Sequence, residues 1–303
     1  MTANISKKVL IISGPTATGK TSLAVKIAQK IKAELISADS RQVYRGMDIG
    51  TGKDHPKSIP IHLIDIINPN QSFSSAQFCR LAKAKIRQIH QKSKLPIIVG
   101  GTGYYIDSLI NSPSTLDIKP HFLTRKILGL LPISVLQLIH QTINRRQYKL
   151  LNNSEKHNPH RLIRKLEIKF SRPKKIKYRS DYDYLHICLL APVKTIYQRI
   201  DYRVRSRLDQ GLLSEIKSLL KKYKWSDPGL NTLAYQEFKP YFIKKTKRNL
   251  RDSIKKWRHH EHGYARRQIT WFKKRPEIHR FLINSTSFPS APFALISKWY
   301  TDL

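Results

Sequence analysis

The chain has 303 residues, of which 57 are lysine or arginine and 20 are aspartate or glutamate, so its formal net charge is +37. This excess favours a polyanionic partner, with nucleic acid as the first candidate, although a generally basic proteome or a salt-adapted surface would give the same balance. The two cysteines, Cys79 and Cys188, exclude a disulfide framework and a cysteine-based zinc finger. No apolar run reaches the roughly 20 residues of a membrane span and no signal-peptide pattern is present, so we expect a cytoplasmic protein without membrane contact.

The first third of the chain alternates short apolar segments with amphipathic ones. We predict strands at 7–14, 33–39, 62–67 and 95–101, and helices at 21–32 and 73–91. In the first helix the apolar residues recur at i, i+4 spacing, which would place one face of the helix against a sheet. This alternation predicts an α/β fold with a mostly parallel sheet and right-handed crossovers.

A change of composition near residue 111 predicts an insertion. Residues 113–182 carry scattered prolines, dense lysine and arginine and helical patterns, but no convincing strand. The strand pattern resumes at 184–192, and the remainder is predicted to be helical, with helices at 196–208, 212–222 and 247–272. We therefore predict a catalytic core of residues 1–112 and 183–303, interrupted by a helical insertion domain at 113–182.

The first loop of the predicted sheet fits a phosphate-binding pattern, G-x-x-x-x-G-K-[ST], between a strand and a helix. Its glycines let backbone N–H groups turn toward phosphate oxygens, Lys20 adds positive charge, and the Thr21 hydroxyl could hold Mg²⁺ as a cofactor. The pattern predicts a P-loop NTPase-like core with a diphosphate site, without requiring that the protein hydrolyse ATP. The predicted diphosphate-binding residues of this loop are Gly14, Pro15, Thr16, Ala17, Thr18, Gly19, Lys20 and Thr21.

A carboxylate follows the second predicted strand. P-loop kinases and hydrolases usually position Mg²⁺ with an acidic residue at the end of another strand, yet the strand at 95–99 runs into Gly100-Gly101-Thr102-Gly103. Asp39 ends the strand at 33–39, where parallel sheets bind ligands, and could hold Mg²⁺ or act as a general base. A helix-capping or turn aspartate is the structural alternative.

Six segments of the chain occur in a family-specific order. They are GPTATGKT, ADSRQVYRGMDIGTGK, HLID, VGGTGYY, NPHRLIRKLE and YARRQITWFKK, which together span residues 14 to 274. The set resembles the tRNA dimethylallyltransferase (tRNA isopentenyltransferase) family. The resemblance implies a P-loop core with a helical insertion that grips the anticodon stem-loop of tRNA. It also implies transfer of a dimethylallyl group from dimethylallyl diphosphate to N6 of the adenosine 3′ to the anticodon, tRNA position 37, with release of diphosphate.

The resemblance also assigns roles to individual residues. Asp39 would accept the proton of the adenine amine, Thr102 would lie beside that amine, and Lys20 would stabilise the departing diphosphate. Arg203 matches the arginine expected on the diphosphate, with Arg199 as the second candidate. The residues implied to contact tRNA are Asp39, Ser40, Arg41, Gln42, Thr102, Arg125, His160, Arg161, Leu162, Ile163, Arg164, Arg266, Arg267, Gln268, Ile269, Thr270, Trp271, Phe272 and Lys273.

Some of these RNA contacts have structural alternatives. Trp271 and Phe272 could be core anchors, with only the neighbouring cations facing RNA, and Arg125 could be a solvated surface arginine. The chain also departs from the family pattern at Asn158-Pro159, at Ala234 and at Arg207. These departures concern the details of RNA binding rather than the transfer chemistry.

Three rival functions fit parts of the sequence. A P-loop small-molecule kinase would need a second metal-holding carboxylate, for which Asp65 is the candidate. A prenyltransferase acting on free AMP or ADP would not need the +37 charge. A non-catalytic RNA-binding protein would not need Lys20, Thr21, Asp39 and Thr102. The run from His259 to His262 does not suggest a metal site, because adjacent helical residues face different directions. We expect a monomer.

Overall fold

The computed structural model describes residues 7–54, 56, 59–112, 118, 121–171 and 182–301. The chain divides into two compact units, Met1–Ile110 with Ser180–Leu303, and Asn111–Arg179. The insertion predicted at 113–182 begins two residues later and ends three residues later than the second unit. Most of the residues at these boundaries, 113–117 and 172–181, lie outside the described residues.

The first unit is built on one six-stranded sheet in which every neighbouring pair is parallel. Its strands are β1 (Lys8–Ser13), β2 (Ala33–Ser37), β3 (Ile61–His62), β4 (Leu95–Gly100), β5 (Asp183–Leu190) and β6 (His279–Leu282). The order across the sheet is β3-β2-β4-β1-β5-β6. Strands β1, β2 and β4 are buried along their whole length, as expected of a parallel sheet covered on both faces. The predicted α/β class with a parallel sheet is confirmed.

The helices lie between and after these strands. They are α1 (Lys20–Lys30), α2 (Ser75–Gln91), α3 (Gly103–Asn111), α4 (Phe122–Gly129), α5 (Ile133–Lys149), α6 (Asn153–Lys156), α7 (Pro159–Phe170), α8 (Val193–Asp209), α9 (Leu212–Leu219), α10 (Lys239–Ile243), α11 (Lys247–Lys273) and α12 (Ser290–Thr301). Within the described ranges, no helix is both long enough and apolar enough to cross a membrane.

Two large apolar clusters, beside a smaller one around Cys188, Phe272 and Ile278, pack the described residues of the first unit. One packs α1 and α12 against the sheet, around Leu10, Leu35 and Ile97. The other joins α8, α9 and α11 to the segment that follows β2, around the fully buried Trp257 and Tyr235. The second cluster fixes α11 and the loop after β2 to the same body, which matters for the site below.

Two sequence expectations about this sheet were wrong in detail. The strand predicted at 62–67 is only Ile61–His62, because Leu63 (φ 63°) and Asp65 (φ 56°) adopt left-handed backbone conformations that end it. The region after residue 272 also contains a strand, β6, where only helix was expected. Most β6 side chains are exposed, so this edge strand lacks the apolar alternation by which strands are recognised.

The topology brings three loops to one edge of the sheet. From the central strand β1 the chain moves outward to β2 and β3, whereas from β4 it crosses to β5 on the other side of β1. The carboxyl ends of β1 and β4 therefore flank a topological switch point, where parallel α/β sheets form ligand crevices. The loops after β1, β2 and β4 carry the predicted site residues.

The second unit is a small helical body made of α4 to α7, and no strand occurs among its described residues. Its apolar core contains Leu136, Leu151, Leu162 and Ile163. A buried carboxylate, Glu167, binds groups from two of its helices, as described below.

Candidate active site

The loop between β1 and α1 has a compact shape held by its own side chains. The Thr18 hydroxyl and the Lys20 ammonium both donate hydrogen bonds to the carbonyl oxygen of Pro15, at 2.9 and 2.7 Å. Gly19, the N-cap of α1, has a left-handed conformation that an L side chain rarely adopts (φ 81°). Helix α1 has no side-chain cap on its first N–H groups, so its positive end is available to an anion.

Lys20 has an unusually low proton affinity. Burial and then the positive charge of Arg203 lower the pKa of its ammonium, the carboxylate of Asp39 opposes both effects, and the net result is a pKa of about 8. The ammonium is therefore destabilised by desolvation and by a neighbouring cation, and an anion bound between Lys20 and Arg203 would relieve both effects.

The loops after β2 and β4 are tied together by hydrogen bonds. The Ser40 N–H donates to Oγ1 of Thr102 at 3.1 Å, and the Thr102 N–H donates to the Ala38 carbonyl at 3.2 Å. Gly100 permits this approach, because a Cβ at that position would lie 2.2 Å from the Ala38 carbonyl oxygen. A carboxylate oxygen of Asp39 accepts the Arg41 N–H at 2.8 Å, which fixes the side chain at the start of its loop.

Three arginines follow one another at i, i+4 and i+8 on α8. Arg199 donates to the Ala17 carbonyl and Arg207 to the Gly50 carbonyl, both at 3.2 Å. Arg203 lies between them and has no hydrogen bond or ion pair with any other described residue. The first and third arginines are therefore held by backbone carbonyls, and Arg203 is the one with its guanidinium free for a ligand.

A cavity of about 740 Å³ opens at this edge of the sheet. That volume lies within the range of small-molecule sites. It brings together most of the predicted phosphate loop, the proposed base and the central arginine. The predicted residues that line it are Thr16, Ala17, Gly19, Lys20, Thr21, Asp39, Gln42 and Arg203. Among the predicted residues of the loops after β1, β2 and β4 and of α8, those that do not line it are Gly14, Pro15, Thr18, Ser40, Arg41, Thr102 and Arg199.

Helix α11 carries the block 266–273 that was predicted to contact RNA. The side chains of Arg266, Arg267, Thr270 and Lys273 are exposed. Gln268, Ile269 and Phe272 are buried and do not lie on this exposed face. Helical periodicity is the cause, since the face of α11 that packs on the sheet recurs every three to four residues. Trp271 is half-buried against Gly103, consistent with the core-anchor alternative.

The predicted RNA-contacting segment of the second unit is divided in the same way. His160 and Arg161 on α7 are exposed, whereas Leu162 and Ile163 belong to the apolar core of that unit. Arg164 donates to Glu167 at 3.2 Å.

Arg125 is exposed to solvent, with 45% of its side chain accessible, but it is not unpaired. Its guanidinium donates to both carboxylate oxygens of Glu167, at 2.7 and 2.9 Å, and the His121 N–H adds a third bond at 3.0 Å. Burial raises the pKa of the Glu167 carboxyl, but the hydrogen bonds from Arg125, the His121 backbone and Arg164 bring it below its usual value. Arg125 therefore has a structural task inside the second unit.

The carboxylate and two of the histidines considered for metal binding form ion pairs or hydrogen bonds with other side chains. Asp65 is ion-paired with the Lys53 ammonium at 2.5 Å. His260 bonds Glu237 at 2.7 Å and His262 bonds Asp201 at 2.8 Å. Within the part of the chain that the structure describes, no three His, Cys, Asp or Glu side chains form a cluster able to hold a metal ion by themselves.

Several residues that shape the site were not selected from the sequence. The guanidinium of Arg41 lies 4.1 Å from the ring centre of Tyr264. Arg207 lines the cavity beside Arg203. Glu215 accepts hydrogen bonds from three consecutive N–H groups, those of 48–50. Tyr264 lies one helical turn before Gln268, and that spacing on an amphipathic helix was the signal available for it.

Comparisons with known proteins show which family the chain resembles in sequence and fold. A family model described as IPP transferase matches residues 42–275. The tRNA dimethylallyltransferase of Roseiflexus sp. (strain RS-1) is 33% identical over 96% of this chain and 98% of its own. That of Lactococcus lactis subsp. cremoris (strain MG1363) is 35% identical over 97% of this chain and 99% of its own.

Two solved structures share the fold. The tRNA isopentenylpyrophosphate transferase from Bacillus halodurans has a TM-score of 0.71 and 32% identity, covering 96% of this chain and 95% of that one. A eukaryotic dimethylallyltransferase, captured acting on tRNA, has a TM-score of 0.81 and 26% identity, covering 98% of this chain and 80% of that one. By family model, sequence and fold, the chain belongs to the IPP transferase family.

Proposed function

We propose that this protein is a tRNA dimethylallyltransferase. It transfers the dimethylallyl group of dimethylallyl diphosphate to N6 of the adenosine 3′ to the anticodon. The observation that carries the proposal is one cavity lined by two unlike groups. Lys20 and Arg203 offer unneutralised positive charge, and Asp39 offers a carboxylate in a loop bonded to Thr102. The relatives named as tRNA dimethylallyltransferases support tRNA as the acceptor.

The reaction balances with these groups alone. The lone pair of the adenine N6 attacks C1 of the dimethylallyl group, and the bond between C1 and the diphosphate oxygen breaks with its electrons on the oxygen. The amine proton passes to Asp39, which is needed because the N6 lone pair is delocalised into the ring. Lys20, Arg203 and the N–H groups of the loop before α1 stabilise the departing diphosphate.

Mg²⁺ fits this site as a partner of the diphosphate. The Thr21 hydroxyl and the Asp39 carboxylate are hard oxygen donors, and both line the cavity beside Lys20. Protein sites commonly bind Mg²⁺ through one or two side chains, with substrate phosphates completing the coordination. When bound, the ion would neutralise charge on the leaving group, and Thr21 is the residue that we propose holds it.

Exposed basic side chains of both units are the proposed tRNA contacts. These are His160 and Arg161 on α7, and Arg266, Arg267 and Lys273 on α11. Ser40, Arg41 and Gln42 follow Asp39 directly and are the proposed base-reading segment. Because an anticodon-loop base is stacked, it must be flipped into the pocket at a cost of a few kcal/mol. We further propose that the protein acts as a monomer in the cytoplasm.

The proposal is tested by mass spectrometry of nucleosides. Three reactions are run separately with the protein and Mg²⁺. Two of them contain dimethylallyl diphosphate, one with an unmodified anticodon stem-loop and the other with free AMP. The third contains a nucleoside and ATP. We expect adenosine to gain the mass of one C5H8 unit in the RNA reaction only. A gain on AMP alone would establish the free-nucleotide prenyltransferase, and phosphate transfer from ATP would establish the kinase.

A further inference from the structure

One face of α11 contacts the three loops at the site. Glu261, Tyr264, Gln268 and Trp271 follow one another at intervals of three or four residues, and we call them the inner stripe. The Glu261 carboxylate lies 3.6 Å from Arg41 in the loop after β2. The ring of Tyr264 lies 4.1 Å from the same Arg41 guanidinium, and Trp271 packs on Gly103 in the loop after β4. The loop after β1 is contacted by Gln268.

Gln268 contacts two loops at once through the two ends of its amide. Its carbonyl oxygen accepts the Thr16 N–H at 2.9 Å, and its Nε2 donates to the Gly101 carbonyl at 2.9 Å. The side chain is 6% exposed. The site is also tightly filled, because a Cβ at Gly101 would lie 2.3 Å from Nε2. One end faces a donor and the other an acceptor, so only an uncharged amide or an equivalent group satisfies both.

The two loops that Gln268 joins have different tasks in the proposed reaction. Thr16 belongs to the loop that would bind the diphosphate, and it lines the cavity. Gly101 precedes Thr102, whose hydroxyl holds Ser40 next to Asp39. The chain of bonds therefore runs from the leaving-group loop through Gln268 to the loops that would hold the amine and its base. Reaction rates depend steeply on the distance between such groups.

We propose that Gln268 is a positioning residue that sets the spacing between the diphosphate loop and the loops of Thr102 and Asp39. The proposal rests on the proposed function, and it replaces the predicted RNA contact of this side chain. Gln268 acts through Thr16 and Gly101 rather than by touching the reacting atoms. A purely structural role, docking α11 on the sheet, would change stability but leave the kinetics of the folded protein unchanged.

The test uses two substitutions of similar size in the full chain. Gln268→Met removes both hydrogen bonds, and Gln268→Glu keeps the acceptor for Thr16 but turns a carboxylate oxygen toward the Gly101 carbonyl. Gln88→Met, on the exposed face of α2, is the matched control. We expect both Gln268 variants to lower kcat for transfer by tenfold to about 100-fold, since a misplacement of about 1 Å has that effect. Stem-loop affinity should stay within about twofold of the wild-type value, because the side chain is buried.

Pyrophosphate binding separates failure of this proposal from failure of the proposed function. Calorimetry with inorganic pyrophosphate needs no transfer reaction, and we expect weaker binding to Gln268→Met than to Gln88→Met. If the wild-type protein shows no prenyl transfer but this difference in pyrophosphate affinity is observed, the proposed function fails, whereas the positioning role of Gln268 is supported. If the wild-type protein is active and Gln268→Met matches Gln88→Met in kcat and in pyrophosphate affinity, the positioning proposal is wrong.

Hydrogen exchange of the wild-type protein covers the case in which the Gln268 variants do not fold. If the hydrogen bond from the Thr16 N–H to Gln268 is present in solution, this amide should exchange much more slowly than its exposed neighbours in the loop. Rapid exchange of this amide would show that Gln268 does not hold the loop, and would overturn the proposal without any variant.

Discussion

Lys20 and Arg203 place two positive charges at one end of a cavity whose other polar groups include the Asp39 carboxylate. Burial and the charge of Arg203 make the protonated form of Lys20 harder to maintain, so its pKa falls to about 8. A bound diphosphate would favour the protonated form again. Binding of the anion and protonation of Lys20 should therefore be linked.

This linkage predicts how diphosphate affinity depends on pH. Below pH 8 Lys20 is charged before the ligand arrives, and above pH 8 a proton must be taken up, so affinity for pyrophosphate should fall as pH rises from 7 to 9. Calorimetry across this range measures the effect. Because pyrophosphate itself titrates, the values are compared with those of Lys20→Arg, which stays charged. A constant ratio between the two proteins would show that Lys20 does not titrate at the ligand.

Single residues of the site were predictable where a motif ties a side chain to a backbone position. Lys20 was predicted from a strand followed by a glycine-rich turn and a helix, and Asp39 from its position at the carboxyl end of a parallel strand. Gln268 was predicted as an RNA contact, and its burial between two loops was not foreseen. The sequence shows a polar residue between cations, but only the packing of α11 on the sheet determines that this residue faces inward.

At the level of elements, α9 anchors the loop that carries the proposed base-reading residues. The Glu215 carboxylate accepts the N–H groups of Asp48 and Ile49 at 2.7 Å and of Gly50 at 3.0 Å. It also accepts the hydroxyl of the buried Tyr235 at 2.8 Å. Burial, followed by the negative charge of Glu215, raises the pKa of this tyrosine well above its usual value.

Glu215→Ala should lower the free energy of unfolding by about 2 kcal/mol, because it leaves backbone donors and a buried hydroxyl without their acceptor. Urea unfolding measures the change, with Lys217→Ala on the exposed face of the same helix as the control. Equal stability of the two variants would mean that water replaces the carboxylate without loss.

The helical insertion is stabilised by an ion pair between two of its own residues, Arg125 and Glu167. Arg125→Ala removes the bidentate partner of Glu167 and leaves Arg164 and the His121 N–H, so we expect a loss of about 1–3 kcal/mol in local stability. Faster hydrogen exchange of the amides in α4 and α7 is the measurement. Lys126→Ala, at the next and exposed position, should leave those amides unchanged. If the two variants exchange alike, Arg125 has no structural task.

Buried elements with a clear apolar pattern in the sequence were predictable, and the strands at the edges of the sheet were not. The buried strands β1, β2 and β4 are continuous apolar runs, and the predicted positions match them closely. The edge strand β3 is cut short by the positive φ of Leu63, which no apolar pattern reveals. At the opposite edge, β6 pairs with β5 alone and leaves most of its side chains in water.

For the whole molecule, the net charge of +37 is the dominant property. If this charge serves tRNA binding, affinity for an anticodon stem-loop should fall steeply with salt, with a slope of about −0.7 to −0.9 per phosphate neutralised. Replacing the exposed Arg266 or Arg267 by glutamine should each reduce the slope by about one. Filter binding at several salt concentrations measures this, and a flat response would remove tRNA as the reason for the charge.

The central claim is that the edge of the sheet at β1, β2 and β4 performs prenyl transfer with Asp39 as the base. The most direct measurement is single-turnover transfer to a saturating anticodon stem-loop by the wild-type protein and by Asp39→Ala, followed by nucleoside mass spectrometry. We predict that the wild-type protein adds one C5H8 unit to a single adenosine, and that Asp39→Ala adds none while its stem-loop affinity stays within a few-fold. Transfer by Asp39→Ala at the wild-type rate would contradict this account.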